Sequence, residues 1–180
     1  MKKLTFITPL LFALVMLLSF NVSAQKFPSL DKSPLDLAAF PNRGADKIIK
    51  VFYSRPYLKG RTVGTDLAKY GELWRTGAND ATQIIFLKDV KLGSTAIKAG
   101  TYSLFTIPGA KEWTIIISSA IDNWGTGGHK ASNEVAKLNV PATTGSESIE
   151  NFAIVFDESG NTINMHLGWG TTRVTVPFTK

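Results

Sequence analysis

Between residue 47 and the carboxyl terminus lie several short runs in which apolar side chains recur at every second position, separated by glycine, proline and asparagine. Period two is the repeat of a strand with one buried face, and turn signals this frequent leave few stretches long enough for helices. Residues 47–53 put Ile49, Val51 and Tyr53 on one face, and residues 82–87 follow after a long connection. Residues 90–92 and 95–97 flank Gly93-Ser94, a two-residue reversal of the kind that closes a hairpin through a primed turn. Residues 102–107 stop at Pro108-Gly109, and Trp113, Ile115 and Ile117 then share a face. After a polar stretch at 141–148, read as a loop, Phe152, Ile154 and Phe156 alternate and Gly160-Asn161 turns the chain again. Ile163, Met165, Leu167 and Trp169 form the next buried row, and Val174, Val176 and Phe178 the last.

About nine strands result, and only residues 66–74 and 133–138 read as short helices. Parallel α/β folds need alternating helices and are excluded. The expectation is an all-β chain, an antiparallel β-sandwich or flattened barrel with one or two short helices. Residues 25–44, with Pro28, Pro34 and Pro41, read as an extended amino-terminal arm lying over the sheet through Leu35, Leu37 and Phe40.

The amino terminus has a different character. Lys2 and Lys3 precede an apolar run at 10–20 broken only by Ser19, and Val22-Ser23-Ala24 supplies small residues before Gln25. This is the pattern of a secretory signal peptide over 1–24, too short in its apolar part to span a bilayer. Cleavage leaves one β-rich domain at 25–180, without a membrane span, in the periplasm or outside the cell. The chain has no Cys, which excludes disulfides, a lipid-bearing terminal cysteine, thiol catalysis and Cys-ligated metals. Stability must come from the core, which a domain of this length can supply. Removing Lys2 and Lys3 lowers the formal charge from +6 to +4. The remaining lysines form no stripe, so nucleic acid is not an expected partner.

Most catalytic signatures are missing: no Gly-x-Ser-x-Gly elbow, no phosphate-cradling glycine loop and no His-x-x-x-His pair. His166 alternates away from the buried row and reads as an exposed strand residue, while His129 follows Gly125-Thr126-Gly127-Gly128 in what reads as a surface loop. No metal or redox cofactor is expected.

One segment carries more chemistry than the rest. Four of the five arginines, Arg43, Arg55, Arg61 and Arg75, fall within residues 43–75, with Glu72, Asn79 and Asp80 in the same region or at its edge. Arginine suits planar, bidentate pairing with carboxylates and other oxyanions. Trp74 to Asp80 joins an aromatic wall, a fixed cation, hydroxyl and amide groups and a carboxylate on a turn of small residues, as a binding loop would. Trp74 and Trp124 lie in loop-like sequence and are the candidate aromatic platforms, whereas Trp113 and Trp169 sit in core-facing registers. The candidate ligand-binding set is Arg55, Arg61, Trp74, Arg75, Asn79, Asp80 and Trp124, and no residue is assigned a catalytic role.

Ser33-Pro34-Leu35-Asp36, Tyr53-Ser54-Arg55-Pro56, Lys59-Gly60-Arg61, Tyr70-Gly71, Trp74 to Asn79, Ala99 to Pro108 and Glu112-Trp113-Thr114 closely resemble a family of secreted bacterial proteins catalogued as domain of unknown function 2911. The resemblance covers nearly all of residues 25–180 and implies one exported β-rich domain, with no established activity. It also implies Glu where this chain has Asp80 and an acid where it has Gly170, so a mechanism needing two carboxylates is weakened.

Three functions fit these features. The first is a small-molecule or glycan binding, or envelope-associated, module. The second is a carbohydrate-active hydrolase or lyase using Asp80 or Glu72 with Arg75. The third is a structural or interaction domain whose arginines pin the long connection to the sheet.

Overall fold

In the alternating runs each apolar row turns inward and its polar neighbours turn out, so two layers of one sheet enclose the core. The computed structural model describes residues 25–180; the expected signal peptide lies outside the described residues. Compactness divides the chain into Met1–Leu30 and Asp31–Lys180. Residues 25–30 of the first unit carry no regular secondary structure, and the second contains every element named below.

The strands are β1 (Leu35–Phe40), β2 (Ile49–Ser54), β3 (Thr82–Phe86), β4 (Val90–Leu92), β5 (Thr95–Ile97), β6 (Gly100–Ile107), β7 (Glu112–Ser118), β8 (Glu134–Ser159) and β9 (Thr162–Thr179). They form one antiparallel sheet in the order β1-β2-β3-β6-β7-β8-β9-β4-β5. The sheet does not close, and the all-β architecture fits the expected sandwich or flattened barrel.

β8 joins the layers. Its first part pairs with β7, Trp113 opposite Val140, and its remainder with β9, Ile154 opposite Leu167. Register shifts between Thr144 and Ile149, and between Ile149 and Ala153, bend it between these partners. The expected loop at 141–148 is therefore bulged strand: Ala142, Thr143 and Thr144 lie opposite Val174, Arg173 and Thr172. Its polar sequence hides the strand because pairing comes from the neighbour, not from an apolar row of its own.

Both expected helices are corrected. Residues 133–138 mostly enter β8, where Ala136 faces Ile117 and Leu138 faces Ile115; a six-residue helical tendency is weak against a full ladder of partners. Residues 66–74 form turns and bends with isolated bridges at Leu67 and Trp74, and Ala68 is in the left-handed region at φ 43°. Among the described residues the helical content is one 3₁₀ turn at Ala131–Asn133.

The hairpins at Gly93-Ser94 and Gly160-Asn161 form as expected, pairing Leu92 with Thr95 and Ser159 with Thr162. Gly93 and Gly160 have φ of 59° and 60° and head their two-residue loops, the type II′ arrangement. The arm expected over 25–44 enters the sheet as edge strand β1, with Leu35 and Leu37 exposed and Phe40 packed against the core.

The core takes Ile49, Val51 and Tyr53 from β2, Ile84 and Phe86 from β3, and Trp113, Ile115 and Ile117 from β7. Facing them are Ile163, Met165, Leu167, Trp169, Val174, Val176 and Phe178 from β9.

Candidate functional site

Residues 55–81 connect neighbouring antiparallel strands β2 and β3 by a long excursion across one end of the sandwich. Main-chain bonds fasten it. Tyr57 forms a β-bridge with Asn151, the Leu58 N–H donates to Glu150 O at 2.9 Å, and the Phe152 N–H donates to Pro56 O at 3.0 Å. Farther on, Trp74 and Thr106 exchange N–H to carbonyl bonds of 2.7 and 2.9 Å.

Trp74 anchors the excursion. Its ring stacks on Trp169 and meets Trp113 and Phe152 edge-on, at centroid distances of 5.5, 5.9 and 5.0 Å, and its Nε1–H donates to Gly77 O at 3.0 Å. Beyond Arg75 the chain is equally fixed. Thr76 is fully buried at φ 55°, an unusual conformation for a β-branched residue. Its carbonyl accepts the Thr82 hydroxyl at 2.7 Å, and its own hydroxyl lies 3.2 Å from that of Thr106. At Gly77 a Cβ would stand 2.9 Å from Thr82 Oγ1 and 3.1 Å from Ser54 O, so only glycine fits without displacement. Arg75 thus projects from a rigid frame, and its carbonyl accepts the Thr82 N–H.

A cavity of about 440 Å³ opens beside this frame. Arg61, Asp66, Lys69, Glu72, Arg75 and Asn79 supply its charged and amide groups, with Ser33 at one side and Trp74 and Trp169 among the lining. Arg75 is half-buried, its Nε is shielded from solvent, and that Nε has no hydrogen-bond partner among the described residues. Burial pushes the guanidinium pKa below its usual range, although arginine remains a cation at working pH. Arg61 is already engaged, with Nε donating to Leu58 O and Nη2 to Tyr57 O, both at 3.0 Å. Asn79, at φ 59°, donates from Nδ2 to Asp31 Oδ1 at 3.1 Å. The Ser33 N–H, followed by Asn79, holds the Asp31 carboxyl below its ordinary value.

Four of the seven candidate residues, Arg61, Trp74, Arg75 and Asn79, therefore meet in one cavity. Arg55 stands apart, its Nη1 on Asp36 Oδ2 and its Nε donating to Phe152 O, both at 2.9 Å. Asp80 faces a different cleft, and a β-bridge joins it to Trp124, which is 73% exposed. The faces of Trp74 are taken up by packing. Sequence reasoning missed Ser33, Asp66, Lys69 and the contribution of Trp169; the glycines at 64 and 71 were the available sign that this stretch turns instead of forming a helix.

The histidines are more tightly placed than their surroundings suggested. His129 Nε2 lies 3.1 Å from Glu134 Oε1 and its ring packs on Phe105. His166 bridges Asp157 and Thr175, each at 2.9 Å.

No curated protein and no solved structure matches the chain. The family described as "Protein of unknown function (DUF2911)" matches residues 34–178, a span that includes β1 to β8, all but the last residue of β9, and the excursion carrying Arg75. The chain belongs to that family.

Proposed function

We propose that the protein is an exported binding module whose ligand presents a carboxylate to Arg75. The observation that carries this reading is the shielded, unpartnered Arg75 Nε at a 440 Å³ cavity. A buried donor left without an acceptor costs about 1–3 kcal/mol, more for a charged group, and a carboxylate seated on the guanidinium, with the side-chain shift that brings an oxygen to Nε, recovers the loss. Guanidinium geometry favours a planar, two-oxygen partner. Asn79, Glu72 and Ser33 provide neighbouring polar groups of the kind that sugar hydroxyls use, so uronates are included in the ligand class.

A thermal-shift screen of the purified protein against organic carboxylates, uronates and neutral sugars tests the reading. At 100 times its dissociation constant a ligand adds about 2.7 kcal/mol of stability. Carboxylates should raise the melting temperature of the wild type and leave Arg75→Met unchanged. Hits confined to neutral sugars, or equal shifts in both proteins, would refute it.

A further inference from the structure

We infer a second site, of opposite charge: a cleft for a primary organic ammonium on the outer face of β2, β3 and β6. It does not depend on the carboxylate reading. Consecutive side chains divide here, Asn79 lining the Arg75 cavity and Asp80 a separate cleft of about 360 Å³. The cleft floor is a row across three strands, Phe52 opposite Gln83 and Gln83 opposite Ser103, on the face turned away from the core residues Val51, Ile84 and Leu104. Asp80 and Asp122 stand at its rim and Leu35 closes one side.

Charge and hydrogen bonding indicate what this cleft takes. No Lys, Arg or His lines it, in a chain whose formal charge is +6. Neither Asp80 nor Asp122 has an ion-pair or side-chain hydrogen-bond partner among the described residues. Ser103 supplies an independent sign: the residue is 2% exposed and lines the cleft, and its hydroxyl has no hydrogen-bond partner among the described residues. A nearly buried hydroxyl that lines the cleft and has no protein partner takes its hydrogen bond from whatever occupies the cleft.

Size and lining distinguish an organic cation from a metal ion. Calcium takes about six to eight oxygens in a tight shell, whereas this cleft offers two carboxylates over a floor that is part aromatic, at Phe52, and part neutral polar, at Gln83 and Ser103, and has room for several heavy atoms. Among the described residues no group of three or more acidic, His or Cys side chains could hold a metal. A primary ammonium has three N–H donors, which the Asp80 and Asp122 carboxylates and the Ser103 or Gln83 oxygen can accept, while its carbon chain lies on Phe52 and Leu35.

The test is an amide NMR titration of the purified protein with n-butylammonium, with n-butanol as the uncharged match. The ammonium should shift the amides of Asp80, Gln83, Ser103 and Asp122 saturably, and n-butanol should not. Asp122→Asn, with unchanged melting, should weaken binding about tenfold, the scale of one charge-assisted hydrogen bond. Arg75→Met should retain the response, so failure here is separable from failure of the carboxylate reading. The inference is overturned by no saturable shift, by an equal response to n-butanol, by undiminished binding in Asp122→Asn, or by calcium chloride moving the same amides.

Discussion

Trp74 stacks on Trp169 with ring planes 15° from parallel and centroids 5.5 Å apart, which ties the β2–β3 excursion to strand β9 across the core. Arg75 follows directly, so the orientation of the cation is set by an aromatic contact made one residue earlier. Phe152 and Trp113 pack edge-on against the same indole, an arrangement aromatic quadrupoles favour.

Trp169→Ala should therefore act on stability and on the cavity together. Trp169 is 2% exposed, and removing a buried ring of this size costs about 3–5 kcal/mol. Urea unfolding measures the loss. Ligand affinity measured well below the transition should fall as well, because Trp74 then has a cavity to relax into.

Arg55 and Arg75 should respond in opposite directions. Arg55→Ala removes a pair with Asp36 that is 33% and 42% exposed, and a bond to Phe152 O, for a loss of about 1 kcal/mol after solvent screening. Arg75→Met strands no carboxylate among the described residues and replaces a shielded donor with an apolar chain. It should be neutral or more stable by about 1 kcal/mol, as read from paired thermal melts.

Gly64 tests the backbone of the excursion. Its φ is 95°, and a Cβ would come within 2.2 Å of the Tyr70 ring. Gly64→Ala should cost about 2 kcal/mol or more, since steric overlap adds to strain, while Gly60→Ala, at φ 74° with open space, should cost about 1. Denaturant midpoints of the two variants give the comparison.

Much of this architecture is written in alternation. The rows ending in Tyr53, Ile117, Trp169 and Phe178 each face the core as period two requires. Residues 141–148 escape the pattern because a bulged strand paired to β9 needs no apolar row of its own. The 66–74 turns escape it because Ala68 adopts a left-handed conformation that only its packed context explains. For the site, residue chemistry picks out Arg61, Trp74, Arg75 and Asn79. It cannot show that Asn79 and Asp80 open into different clefts, since that depends on how the turn is held by Trp124 and Thr82.

Acid should expose the role of Glu134. The Lys137 hydrogen bond, with further help from the Lys137 charge and His129, holds its carboxyl below the ordinary 4.5. A carboxyl depressed in the folded state contributes stability that is fully present above the unfolded value and is lost as pH falls through the folded one. Glu134→Gln should be less stable than wild type near neutrality, with the difference shrinking below about pH 4.5. Melting temperatures of both proteins from pH 7 to pH 3 measure it.

The central claim concerns one proton, the Arg75 Nε–H, and ¹⁵N NMR of the arginine side chains observes it directly. Titrating the purified protein with glucuronate should move the Arg75 Nε–H resonance saturably and slow its exchange with water, while Arg55 and Arg173 stay in place. An Arg75 resonance that does not move, or moves no more than those two, at glucuronate concentrations that saturate any binding seen by calorimetry, would contradict the account.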